Sequence, residues 1–228
     1  MEDGKRMIKL NVLYEDNHII VVEKPINVLS QGDSTGDIDL LSMVKSYIKE
    51  EYNKPGEAYI GLIHRLDRPV GGVMVFARSS KAASRLNKQF NEHSIVKKYL
   101  AIVHGKVDNS GTFKDKLLKL EDGNTIVSDK GKEAILDYKL IEYLKDKDLS
   151  LVEVNLGTGR HHQIRVQFAS RGFPLVGDQR YGTQDREQIC LFSYYLEFVH
   201  PVKKETMFFK LKPSGKYWDL FIDSIDSV

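Results

Sequence analysis

Apolar residues in this chain follow two rhythms. Short β-rich runs mark Leu10 to Tyr14 and His18 to Glu23, and the Asp16-Asn17 pair between them predicts a β-hairpin. Gly32 to Asp39 reads as loop. In "DLLSMVKSYIKEEY" the spacing then lengthens, so that Leu40, Leu41, Val44, Tyr47 and Ile48 share one helical face with Asp39 as N-cap, and Asn53-Lys54-Pro55-Gly56 ends the helix. "AYIGLI" and "GGVMVFA" are apolar without alternation, as central strands are, and they flank the ion-rich stretch His64-Arg65-Leu66-Asp67-Arg68-Pro69.

Ser79 or Ser80 caps a helix running to about His93, with Ala83, Leu86 and Phe90 inward. "VKKYLAIVHGKV" reads as a strand. Residues 111–131, rich in Lys, Asp and Gly, fit a hairpin or an excursion over the surface. Strands are expected at Glu133 to Tyr143 and Leu149 to Leu156, then a helix opening near Gly159 and Arg160. "LFSYYLEFVHP" and "ETMFFKLKP" read as a second antiparallel hairpin before a short helix around Trp218 to Ile225. With no repeat or linker visible, the pattern predicts one α+β domain over 1–228, bilobed, on a long mixed and mostly antiparallel sheet with flanking helices.

Composition narrows the chemistry. Hydrophobic residues make up 41% of 228, enough for a substantial core, and 34 Lys+Arg against 32 Asp+Glu leave a formal charge of only +2. A protein that grips nucleic acid by bulk charge is therefore excluded, and any polyanion site must be a local patch. The single cysteine, Cys190, permits no internal disulfide and no cysteine-based zinc site, which suits a reducing cytoplasm. No stretch approaches the ~20 apolar residues of a membrane span, and the N-terminus lacks the apolar core of a signal peptide. A soluble cytoplasmic protein, without a membrane partner, is expected.

Asp67 lies in a tight loop between apolar runs, with Arg65 and Arg68 beside it. If those cations are close in space they hold the carboxylate ionised; the plain alternative is a surface turn with a salt bridge. A second cluster, "LGTGRHHQIRVQFASRGFPLVGDQRYG", opens on a Gly-Thr-Gly turn suited to bring backbone amides and a helix N-terminus to an anion, with Arg160 at that end. On the helix that follows, Ile164 and Phe168 face the core while His161 and Arg165 share a neighbouring face. His161 and His162 would point roughly 100° apart on a helix, a poor metal pair, so no metal is expected. On a strand, Lys97 and Tyr99 share one face and Lys98 takes the other; an aromatic beside lysines suits base stacking next to phosphate.

In order and spacing, HRLD at 64–67, KYLAIVHG at 98–105, TGRHHQIR at 158–165 and GDQRYG at 177–182 resemble the RluA-type pseudouridine synthases. "VVEKP" at 21–25 and the Leu-x-x-x-x-Leu-x-Phe-x-His-Pro segment at 191–201 extend the likeness over nearly the whole chain. The resemblance implies a catalytic domain with its cleft between two lobes, and isomerisation of uridine to pseudouridine in structured ribosomal or transfer RNA without cofactor or metal. It makes Asp67 the catalytic aspartate, Tyr99 the active-site tyrosine and Arg165 the arginine paired with the aspartate. By the same likeness Arg65, Arg68, Lys97, Lys98, Arg160, His161 and Gln163 would bind RNA, with Arg65 entering the stack as the target base leaves. Leu66 and Leu191 would line the base pocket. A monomer is expected.

The chain departs from the pattern in three ways. Val70-Gly71-Gly72 follows HRLD where Thr-Ser-Gly or similar is usual, His161 stands where Thr or Ser is common, and only about ten residues precede Val12, so no N-terminal S4-type RNA-binding domain is expected. Two other functions compete. A catalytically inactive RNA chaperone on the same fold would predict erosion at Asp67, Tyr99 or Arg165, and all three are present. A glycoside hydrolase needs two carboxylates ~5–9.5 Å apart, and Asp178 is the one second acid the motifs offer.

Overall fold

The computed structural model describes residues 9–53, 55–182 and 187–228. β1 (Asn11–Glu15) and β2 (Ile19–Lys24) form the expected antiparallel hairpin. Its turn is closed by Asp16 Oδ1, which accepts from the backbone N–H of His18 and Ile19 at 2.8 and 3.0 Å. α1 (Leu40–Glu51) starts where Asp39 accepts from Ser42 N, and α2 (Ser80–Asn91) where Ser79 accepts from Ala82 N. β4 (Gly71–Ala77), β5 (Val96–His104), β8 (Lys132–Leu144), β9 (Leu149–Leu156) and β10 (Leu191–Val199) lie where the pattern put strands. Residues 111–131 prove to be largely a hairpin of β6 (Ser110–Lys119) and β7 (Thr125–Val127). β11 (Thr206–Lys210) pairs back on β10, and a 3₁₀ turn at Trp218–Phe221 leads into α4 (Ile222–Asp226).

Eleven strands make one mixed sheet, ordered β1-β2-β4-β10-β5-β9-β8-β6-β7, with β11 beside β10 and β3 (Gly61–Leu62) beside β4. Only β4 and β10 run parallel, and they meet over two residues, Phe192 opposite Gly71 and Ser193 opposite Gly72. At its last position Val70-Gly71-Gly72 keeps the glycine of the Thr-Ser-Gly pattern, and the join requires it. Gly72 has φ +128°, and a Cβ there would fall 2.1 Å from Ser193 O.

Both sheet faces are covered. Ile20, Val22, Met74, Phe76, Val152 and Val154 pack under α1 and α3 (Gln163–Ala169). The alternate residues Ile19, Val21, Val73 and Val75 pack under α2, while Leu100, Ile102 and Leu151 meet Trp218, Phe221 and Ile225. Burial on two faces explains why β2 and β4 read as unbroken apolar runs.

Two expectations need correction. "AYIGLI" is no full central strand: only Gly61 and Leu62 pair, because the chain leaves the sheet to build the loop that carries Asp67. And α3 begins at Gln163, three residues past Arg160. The residues before it form a turn closed by the Gln163 side chain, whose Oε1 accepts from Thr158 Oγ1 at 2.7 Å and Arg160 N at 3.0 Å, while its Nε2 donates to Ile135 O at 3.0 Å. Arg160 therefore does not stand in the first helical turn, and Gln163 is buried and spent on holding the turn.

Candidate active site

Asp67 is held by what surrounds its backbone. Ser30 Oγ donates to Leu66 O and accepts from Leu66 N, at 2.7 and 3.0 Å. His64 Nε2 accepts from Val75 N at 3.1 Å while its ring stacks on Phe90, and burial keeps it neutral by pushing its pKa down to about 3. Val70 N donates to Asp67 O at 3.0 Å. Lys24, with no exposed surface, donates to Pro25 O and Arg68 O at 2.9 and 3.0 Å. Its pKa falls to about 7 because burial outweighs the nearby Asp67 charge. Backbone groups on both sides of Asp67 are thus pinned, and its side chain is left free to meet a ligand.

The loop faces a cleft of about 800 Å³ bounded by both halves of the sheet. Leu66, Tyr99 and Leu191 form apolar wall; Lys97, Arg160, His161 and Arg180 stand along it. Arg165 reaches Asp67 Oδ2 through Nη1 at 3.4 Å, as the resemblance implied. Its closer partner is Asp178, met in bidentate fashion by Nε at 2.9 Å and Nη2 at 2.8 Å. Asp178 also accepts from the backbone N–H of Arg180 and Tyr181. Burial pushes its carboxyl up, but Arg165 and those amides more than offset this and hold it below the usual range.

The flanking arginines do not hold Asp67. Arg68 pairs with Asp37 at 2.8 Å, and Arg65 is exposed at the cleft. The cations the fold brings near the carboxylate are Arg165 and Lys24, with the imidazole Nε2 of His162 3.5 Å from Oδ2. His162 is not in the helix: at φ 52° it is left-handed, and its ring stacks on His161 at 3.7 Å between centroids, not at 100° to it. Among the described residues no three His, Cys, Asp or Glu side chains gather in a metal-binding group.

Tyr99 is buried beside the cleft, and burial pushes its phenol up, with a Ser193 hydrogen bond opposing and the Asp67 charge adding. It is held as a neutral phenol. Lys97 lies on the same side, its ammonium lowered by burial. Lys98 points through the sheet to the far face, where it pairs with Glu153 at 3.2 Å, so the fold does not bring it into the cleft.

Lys24, His162, Asp178, Arg180 and Tyr181 stand at the site without a role in the family resemblance. For Lys24 a signal existed, since period two places it in phase with the buried Ile20 and Val22.

Residues 18–170 match the family model for RNA pseudouridylate synthase. The chain is 34% identical over 222 residues to an uncharacterized RNA pseudouridine synthase of Aquifex aeolicus, covering 90% of this chain and 70% of that one. It is 34% identical over 202 residues to the ribosomal large subunit pseudouridine synthase C of Rickettsia prowazekii, covering 86% of this chain and 63% of that one. The chain thus spans about two thirds of the length of these relatives. In fold it is similar to human RNA pseudouridylate synthase domain containing 4, with a TM-score of 0.76 at 20% identity over 95% of this chain and 93% of that one.

Proposed function

This chain belongs to the RNA pseudouridylate synthase family, of the RluA type, and we propose that it isomerises uridine to pseudouridine in structured RNA with Asp67 as the catalytic carboxylate. The observation that carries this is the state of that carboxylate: 29% exposed at the cleft, backed by Arg165 at 3.4 Å, with Tyr99 beside it in the same wall. Large-subunit ribosomal RNA comes before transfer RNA as a substrate class, because named relatives act on it.

The reaction breaks C1′–N1, and the bonding pair leaves with uracil. Asp67 either adds to C1′ or takes the C2′ proton; uracil turns and rejoins through C5, which loses its proton as N1 gains one. A target inside a stem must first leave it, at a cost of a few kcal/mol, and exposed Arg65 is placed to fill the gap. A phenol pushed up by burial suits Tyr99 to stacking on the base and hydrogen bonding rather than to work as an ionised base. Lys97, Arg160 and Arg180 supply the local cationic patch that the low net charge requires. An inactive chaperone has no use for Asp67, Tyr99 and Arg165 brought to one cleft, and a two-carboxylate hydrolase fails because Asp178 is fully buried behind Arg165.

The test is a map of pseudouridines in total RNA from cells with and without the gene. A signal lost on deletion and restored by the parent chain but not by Asp67→Asn is expected. Unchanged maps across all ribosomal and transfer RNA would overturn the proposal.

A further inference from the structure

The two imidazoles beside Asp67 are tied to the far hairpin. Thr125, the buried first residue of β7, accepts or donates through Oγ1 at 2.8 Å to Nδ1 of His161, and its backbone N–H donates to the Tyr181 hydroxyl at 2.9 Å. That hydroxyl stands 2.8 Å from Nδ1 of His162. Arg180 braces the same hairpin, donating to Gly123 O and Asn124 Oδ1 at 3.0 and 3.1 Å.

These contacts favour one tautomer. Tyr181 oxygen accepts from Thr125 N and keeps its single O–H, and pointing that O–H at His162 Nδ1 satisfies both groups. The ring proton is left on Nε2, facing Asp67 Oδ2 at 3.5 Å. The opposite tautomer is worse at both ends: it takes the Tyr181 proton off its partner and sets a nitrogen lone pair against a carboxylate.

We infer that His162 is a positioning residue for the reaction, a neutral imidazole whose tautomer is set by Tyr181 and whose Nε2–H, with Arg165, anchors Asp67 Oδ2 so that Oδ1 is the oxygen presented to the sugar. Both donors approach Oδ2. Arg165 Nη1 makes a long hydrogen bond at 3.4 Å, and His162 Nε2 stands 3.5 Å from the same oxygen. Neutrality has support in the surroundings: burial pushes the His162 pKa down to about 4, with Arg165, His161 and Arg180 assisting and only Asp67 opposing. This inference rests on the proposed activity for its consequence, but not for its geometry.

Three variants separate the parts. Tyr181→Phe keeps the ring that lies 5.2 Å from the Arg165 guanidinium and removes only the hydroxyl. His162→Gln offers an amide N–H in place of Nε2–H, and His162→Ala offers none. Nitrogen-15 spectra of histidine-labelled chain at neutral pH read the tautomer directly, the His162 signals among the seven histidines being those lost in His162→Gln. Single-turnover tritium release from C5-labelled RNA reads the chemistry beside a binding titration.

Expected are an unprotonated Nδ1 and a protonated Nε2 in the parent, exchange between tautomers in Tyr181→Phe, and unchanged RNA affinity. The single-turnover rate should fall roughly 10- to 100-fold in His162→Ala, the scale of one hydrogen bond to a charged group, and recover most of the loss in His162→Gln. A proton on Nδ1 in the parent, or a parent-like rate in His162→Ala, overturns the inference. Equal losses in the Gln and Ala variants, with affinity falling in step, would also overturn it by showing a merely structural role. A parent chain that releases no tritium from any RNA counts against the proposed activity instead, and the nitrogen spectrum then decides the donor arrangement alone.

Discussion

One arginine serves two aspartates, and the two are treated differently. Asp178 is fully buried, takes both parallel bonds of the Arg165 fork, and accepts from two backbone amides at Oδ1 as well. Asp67 is 29% exposed, receives one contact of 3.4 Å from the same guanidinium, and looks into the cleft. A buried carboxylate with both oxygens engaged is out of reach of a substrate; an accessible one held through a single oxygen is not. Asp178 therefore orients Arg165, and Arg165 orients Asp67. The loop sequences hide this, since "HRLDR" and "GDQRYG" both read as polar turns with an acid near an arginine.

The largest break in the comparison comes from exchanging each acid for its amide. Asp67→Asn leaves Arg165 paired with Asp178, so fold and RNA affinity should stay while tritium release falls by roughly 10³-fold or more. Asp178→Asn should cut turnover less, because the amide still accepts from one arm of the fork. If Asp178→Asn proves the more damaging to the chemical step with affinity and fold intact, the roles given to the two acids are reversed.

Truncating the buried acid sharpens the contrast on the side of stability. Asp178→Ala strands a guanidinium that is 8% exposed and should cost about 3–5 kcal/mol in denaturant unfolding, as loss of one partner of a buried pair does. Asp67→Ala should cost far less. The pH dependence follows from the depressed Asp178 carboxyl. The unfolded state takes up that proton first, so this contribution is whole above an unfolded pKa of about 3.9 and is lost as pH falls through the folded value. In acid titrations monitored by circular dichroism, Asp178→Asn should show a flatter acid limb than the parent; an unaltered limb would mean the pair does not carry acid stability.

How much of this was legible depends on where the determining contact lay. Caps and hairpins were readable because Asp39, Ser79 and Asp16 act on backbone two or three residues away. Asp67 and Arg165 were readable through family likeness, but their geometry was not. The start of α3 was misplaced because Gln163 folds its amide back on Thr158, Arg160 and, from a distant strand, Ile135. The stacking of His161 on His162 follows from a left-handed residue that nothing in "GRHHQ" announces, and the bond of Thr125 to His161 spans 36 residues. The engagement of Asp178 needs Arg165 from another element. Long-range polar contacts leave no periodic trace.

Lys24 extends the comparison to the backbone under Asp67. Lys24→Met keeps the bulk and removes the donor to Pro25 O and Arg68 O, two part-buried carbonyls that cost up to about 1–3 kcal/mol each when left without a partner. Unfolding free energy should fall, by at most about 6 kcal/mol for the two carbonyls together, and turnover should fall with it because the loop loses its floor. Full activity in a destabilised Lys24→Met would show that Ser30 and His64 hold the loop unaided.

Lys97 and Lys98 repeat the contrast between a free and an engaged group one residue apart. Lys97 stands in the cleft, and among the described residues no carboxylate forms an ion pair with it. Lys98 is on the other face with Glu153, which also accepts from the Tyr194 hydroxyl. Phosphate contact releases counterions, so Lys97→Ala should weaken RNA binding and lower the slope of log affinity against log salt by about 0.7–0.9. Lys98→Ala should leave both unchanged and alter stability by no more than about 1 kcal/mol, the ordinary worth of a partly exposed pair. Adjacent lysines on opposite sides of the sheet thus serve as each other's control. Equal salt slopes for the two variants would remove the cleft as the path of the RNA backbone.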